Sequence, residues 1–126
     1  MKLALTATPY TLDTGNVPFL MQGDLRAAFR LAAESGFQAV EIFLRYPDDL
    51  DPADVRRLMD EYGLAVNALG TGIAVALDGL TLTDPDAGRR QAAVLRAEGF
   101  AALAAELGAA ITMARLLGNL GQGAQR

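Results

Sequence analysis

The sequence predicts an α/β protein in which parallel strands are backed by outer helices, in the order β-α-β-α-β-α-β. One local pattern carries this reading, because it occurs three times. Glu34-Ser35-Gly36 leads into residues 39–44, Glu61-Tyr62-Gly63 into residues 65–69, and Glu106-Leu107-Gly108 into residues 110–114. Each reads as a helix end, a glycine stop and a short apolar strand. Glycine suits the stop because the left-handed conformation there costs it little. The stretches between them place apolar residues at helical spacing. Alternation of this kind implies a parallel sheet joined by helical crossovers.

Residues 3–8 are the first strand. Leu25, Ala28, Phe29 and Ala32 then share one helical face, with Asp24 as the cap. Val55, Leu58, Met59 and Tyr62 repeat the spacing, and Asp51-Pro52 supplies a cap and a first turn. Ala92, Leu95, Leu103 and Leu107 mark a longer helix opened by Asp84-Pro85. Gly99 falls on its apolar face, where it either lets the helix approach the sheet or weakens it. One domain over residues 1–118 is followed by a Gly/Gln-rich tail, residues 119–126. The long connections, residues 9–22 and 70–83, both follow strand C-terminal ends, where parallel α/β proteins place their sites.

Strand parity sharpens the architecture. In one register Leu3, Leu5, Val40, Ile42, Leu44, Val66, Ala68, Ile111 and Met113 face the helices. The opposite face then holds Thr6, Thr8, Glu41, Arg45, Asn67, Thr71 and Thr112, and Arg115 falls with the helix-facing set. An open doubly wound sheet buries apolar residues on both faces. A polar inner face suits a barrel whose lumen leads to a site for a polar substrate.

Composition removes several function classes. With 52% apolar and 21% charged residues, the 126-residue chain belongs with globular proteins. A net charge of −4 speaks against nucleic acid as a partner, since such proteins concentrate Lys and Arg on one face. Cys and His are both absent, so disulfides, thiolate nucleophiles, Ser-His-Asp triads and His-based zinc sites cannot be built from this chain. The N-terminus does not read as a secretory signal and no apolar run is long enough to cross a membrane, so a cytoplasmic location is expected.

Four segments occur in order at telling separations: Gly23-Asp24-Leu25-Arg26, Gly36-Phe37-Gln38-Ala39-Val40-Glu41-Ile42, Gly70-Thr71-Gly72, and Asp78-Gly79-Leu80-Thr81-Leu82-Thr83-Asp84-Pro85. Together they resemble the xylose isomerase-like TIM-barrel superfamily of sugar phosphate isomerases and epimerases, with particular likeness to 5-keto-L-gluconate epimerases and ketose 3-epimerases. The resemblance implies the N-terminal (β/α)4 half of a (β/α)8 barrel. It also implies a family chemistry in which a divalent ion (Mn²⁺, Mg²⁺ or Co²⁺), held by two Glu, an Asp and a His, assists proton transfer on a ketose or keto-sugar acid. Those four ligands come from later strands of the family barrel, and no position here matches them. The chain is therefore expected to hold no metal and no catalytic residue, and to be inactive alone. What carries over is the substrate-side wall: Glu41 and Arg45 at the end of the second family strand, Gly70-Thr71-Gly72 after the third, and Asp78 at the mouth. Two departures stand out. Ile73 replaces the Gln that follows Gly-Thr-Gly in relatives, and Leu117-Gly118 replaces their Arg-Gly, with Arg115 two positions earlier.

Each candidate has a plain structural reading beside the functional one. Glu41 orients a sugar hydroxyl, or is a carboxylate satisfied by Thr6, Asn67 or Thr112. Arg45 binds a substrate carboxylate or phosphate bidentately, or pairs with Asp48 or Asp49 at the surface. Gly70-Thr71-Gly72 admits a substrate to the backbone, or is a bare turn; no Gly-Lys-Ser/Thr follows to make it a phosphate loop. Asp48, Asp49, Asp51 and Asp54 lack calcium-loop spacing and read as caps and solvated charge. Pro9, Tyr10 and Phe19 line the mouth, or pack the first loop. Three hypotheses compete: the substrate wall of a sugar epimerase, a non-catalytic module that self-associates or complements another half-barrel through unpaired edges at residues 3–8 and 110–116, and an independent flavodoxin-like domain.

Overall fold

The computed structural model describes residues 1–12 and 20–118; Phe19 and the tail at 119–126 lie outside the described residues. The chain forms β1 (Ala4–Thr8), β2 (Met21–Gln22), α1 (Leu25–Glu34), β3 (Ala39–Phe43), a 3-10 turn (Pro47–Asp49), α2 (Pro52–Tyr62), β4 (Ala65–Gly70), α3 (Gly72–Asp78), α4 (Ala87–Leu107) and β5 (Ala110–Thr112). All pairings are parallel, and the sheet order is β2-β1-β3-β4-β5.

That order superficially matches a flavodoxin-like sheet, whose strand order is 2-1-3-4-5. The physical content differs. Here β2 has only two residues, and the longer strands follow one another in chain order without reversing. One core lies between the strands and α1, α2 and α4, built on Leu5, Ala7, Val40, Ile42, Val66, Leu69, Phe29, Val55, Phe100 and Leu103. The three crossover helices thus share a face, as in a barrel wall and unlike a doubly wound sheet. The fold is α/β and partial TIM-barrel-like.

The local signals act as the sequence implies. Asp24 caps α1 by accepting from the Ala27 N–H at 3.0 Å, and Asp51 caps α2 by accepting from Ala53 at 2.8 Å. Gly63 and Gly108 end their helices in the left-handed region, with φ of 64° and 66°.

Several expectations are corrected. The helix opened by Asp84-Pro85 begins later: Asp86 is the cap of α4, accepting from Arg89 at 2.8 Å, and Asp84 holds the preceding turn through the Asp86 N–H. Residues 70–83 are not only a connection, because α3 lies within them. Ala92 and Leu95 are exposed, while Ala93, Phe100, Leu103, Ala104 and Leu107 form the buried face of α4. Its charged residues, Arg89, Arg90, Arg96, Glu98 and Glu106, are spread around the axis, so spacing alone does not select which face is buried. Gly99 admits Pro47, not the sheet: a Cβ there would sit 2.9 Å from Pro47 Cγ. Residues 3–8 are not a wholly unpaired edge, because Ala7 and Thr8 pair with Met21 and Gln22.

The parity reading holds on β1 and β3 and breaks once. Val40 pairs with Val66 but Glu41 pairs with Ala68, so β4 carries an extra residue at Asn67. Beyond it Ala68 joins the polar face and Leu69, fully buried, faces the helices. Arg115 lies in a turn beyond β5, which stops at Thr112. No helix of the described residues is long and apolar enough to cross a membrane.

Candidate functional site

The face opposite the helices is built in rows. Thr6, Glu41, Ala68 and Ala110 are register partners across β1, β3, β4 and β5, and Phe43, Gly70 and Thr112 form the next row. Glu41 is half-buried and accepts a hydrogen bond from Thr112 Oγ1 at 3.0 Å. It makes no salt bridge among the described residues, so its second carboxylate oxygen keeps free acceptor capacity. Of the partners considered for it, Thr112 is the one found. Thr8 is buried and donates its hydroxyl to the Phe43 carbonyl at 2.9 Å.

Gly70 and Thr71 are committed to the scaffold. The Phe43 ring lies over Gly70, and a Cβ there would come within 2.7 Å of Phe43 Cγ. The glycine therefore admits an aromatic ring of the same chain. Thr71 is buried and donates both its N–H (3.3 Å) and its Oγ1 (2.8 Å) to the Thr112 carbonyl. Together these bonds fix the end of β4 to β5 and start α3 at Gly72.

Arg45 and Asp78 do meet, but as partners of each other. Arg45 Nη2 lies 2.6 Å from Asp78 Oδ1, and its Nε adds bonds at 3.1 and 3.2 Å. The surface pairing with Asp48 or Asp49 is replaced by this one. Arg96, on α4, gives Asp78 a second cation at 3.1 Å and donates to the Arg45 carbonyl at 2.7 Å. Both guanidiniums lie over Tyr46, 5.2 and 4.2 Å from the ring centroid. The Arg45 guanidinium, helped by Arg96, holds the Asp78 carboxyl below the usual carboxylate range. Beside this cluster, Tyr10 donates to Asp49 and accepts from the Arg45 N–H at 3.1 Å. Burial, and then the bond to Asp49, push the Tyr10 phenol up to about 12. Tyr10 thus packs and pins the first loop. The rim is a rigid network of satisfied charges, and Arg45 is occupied in it.

The family signature of xylose isomerase-like TIM barrels matches residues 29–125. The chain belongs to that family. Among solved structures, this xylose isomerase-like chain is similar to "AP endonuclease, family 2" from Brucella melitensis, at 25% identity and a TM-score of 0.56. The alignment covers 86% of this chain and 38% of that one, so the chain spans well under half the length of that relative. No curated protein matches it.

In TIM barrels the sites lie at the C-terminal ends of the strands. Thr112, Gly72, Asp78 and Arg45 are at that end here, with Glu41 one row below on the inner face. The residues present do not fit a divalent metal. Among the described residues no group of three or more Asp, Glu, His or Cys side chains is placed to hold one, and Asp78 is already engaged by two arginines. Sequence reasoning missed Phe43, which strand parity with Glu41 could have found. It also missed Arg96, for which a helix position whose partner lies far along the chain gives no local signal.

Proposed function

We propose that this chain forms the substrate-side wall of a sugar isomerase or epimerase-like site, a surface that binds a ketose or keto-sugar acid. The observation that carries the reading is Glu41, a carboxylate on an otherwise small and polar sheet face, with acceptor capacity left after its bond from Thr112. Phe43 stands one row above it and offers the apolar face of a sugar ring a surface to pack on. Metal-assisted proton transfer of the family kind is not assigned to these residues, because their donor set does not suit a metal. An endonuclease role, raised by the name of the structural relative, fits less well. The chain carries net charge −4, and most of its described arginines are paired with carboxylates.

The test is a titration of the ¹⁵N-labelled chain with D-fructose, following backbone amides. Saturable shifts at Thr6, Glu41, Ala68 and Thr112 are expected, with a dissociation constant on the order of millimolar or weaker, worth about 4 kcal/mol. Shifts confined to the helical surface, or none, would refute the reading.

A second reading rests on the far edge of the sheet. β5 has no strand on its outer side among the described residues, and α4, which packs beside it, exposes Val94 and Leu95. Such an edge favours self-association. Light scattering at micromolar concentration should then show dimers or larger species; a monomer would set this reading aside and leave the first untouched.

A further inference from the structure

Most arginines described here have a visible structural task. Arg26, Arg45, Arg56, Arg57, Arg89 and Arg96 form ion pairs, and Arg90 donates to the Asp84 and Pro85 carbonyls at 2.8 and 3.0 Å. Among the described residues, Arg30 and Arg115 are the two without such a partner. Arg30 is exposed on α1, whose buried residues are Ala28, Phe29 and Ala32. Arg115 is exposed as well, but it stands at the rim of a cavity. It lies just past the C-terminal end of β5, and with Val75, Thr81, Ala114 and Gly118 it lines a half-open depression of about 400 Å³. That volume falls within the range of small-molecule sites.

The turn that presents Arg115 is firmly held. Leu116 is fully buried, and its carbonyl accepts from the Leu82 N–H at 2.8 Å. The Leu117 N–H donates to the Met113 carbonyl and the Gly118 N–H to the Arg115 carbonyl, each at 3.1 Å. Gly118 closes the turn at φ 89°, a conformation that glycine adopts without strain. The neighbouring Leu116 is thus anchored inward, while the Arg115 stem runs past Gly72, its Cδ 4.0 Å from where a Cβ would stand. A guanidinium offers up to five donors in a planar fork matched to carboxylate and phosphate oxygens. Here that fork has no partner among the described residues, beside a cavity at the site-bearing end of the sheet.

We propose that Arg115 is an anion-binding residue, and that this depression takes the phosphate or carboxylate group of a small polar ligand. The inference deepens the wall reading, on which it rests for the ligand being a sugar, by making that sugar an anionic one. Phosphate and carboxylate share the chemistry that the fork recognises, and the probes separate them.

Amide and Arg Nε shifts are followed while wild type, Arg115→Gln, Arg115→Lys and Arg30→Gln are titrated with inorganic phosphate, D-gluconate and D-fructose at constant ionic strength. Saturable shifts centred on Ala114, Arg115 and Gly118 are expected with phosphate, gluconate or both. A response to phosphate alone identifies phosphorylated ligands, and one to gluconate alone identifies sugar acids. Arg115→Gln should weaken the anion at least tenfold, Arg115→Lys should lose less, and Arg30→Gln should match wild type. Equal binding by Arg115→Gln, or an equal loss in Arg30→Gln, would overturn the proposal. Anion shifts at Arg115 without fructose shifts on the Glu41 face would uphold this site and refute the wall; fructose shifts without anion shifts would do the reverse.

Discussion

Asp78→Ala is expected to destabilise the chain by about 2–3 kcal/mol, the scale of losing charged hydrogen bonds at a site shielded from water. The Asp78 side chain is 16% exposed and accepts from both Arg45 and Arg96, and Arg96 is itself only 14% exposed. Removing the carboxylate leaves two cations facing each other over Tyr46 with no anion between them. For a domain of this size the loss corresponds to a fall in Tm of roughly 6–15 °C. Asp78→Asn keeps one acceptor oxygen and should lose about half as much. The acid dependence follows from the depressed carboxyl. A group whose folded value lies below its unfolded one contributes above the unfolded value, about pH 4, and loses that contribution as pH falls through the folded one. The gap between wild type and Asp78→Ala should therefore be full at neutral pH and shrink below about pH 4. Thermal melts of both proteins at pH 7 and pH 3 measure this; a difference within 0.5 kcal/mol at pH 7 would show that the cluster is ornamental.

Gly70→Ala is the second large effect, and its sign is the informative part. Replacing a strand glycine by alanine ordinarily stabilises by about 0.4–1 kcal/mol, through the unfolded chain. At Gly70 the new methyl meets one edge of the Phe43 ring, along Cγ, Cδ1 and Cε1, so the whole ring must shift to make room. Overpacking of this kind costs about 1–3 kcal/mol, so the net change should be destabilising. Phe43→Leu with Gly70→Ala should recover most of the loss relative to Gly70→Ala alone, since the two share one contact. Urea denaturation of the two single variants and the double variant measures the coupling. A Gly70→Ala protein as stable as wild type would mean that the ring does not rest there.

Four of the five strands, the glycine stops and two of the caps were legible because each depends on residues adjacent in the chain, whereas β2, two residues long, lay inside what reads as a connection. Gly63 and Gly108 end helices for a reason internal to one turn of backbone, and Asp24 and Asp51 cap within three residues. The bulge at Asn67 was not legible, because it is a relation between β3 and β4, and the parity of Ala68 and Leu69 turns on it. The buried face of α4 was hidden for another reason: charged and apolar residues are mixed around its axis, which gives the pattern no contrast. On the site, parity found Glu41 and its neighbour Thr112. The pairing of Arg45 with Asp78 spans 33 residues and depends on how α3 sits against the loop after β3. Residue types alone gave Arg45 several nearer acidic neighbours in sequence, Asp48 and Asp49 among them.

The most direct test of the substrate wall is the affinity of Glu41→Gln for D-fructose, read from the same polar-face amides. Glutamine keeps an acceptor for Thr112, so the fold should be unchanged, while the charged acceptor offered to sugar hydroxyls is lost. A charge-assisted hydrogen bond exceeds a neutral one by about 1 kcal/mol, so binding should weaken roughly fivefold. Glu41→Gln that binds fructose as wild type does, with the same amides shifting, would contradict the assignment of Glu41 to the ligand.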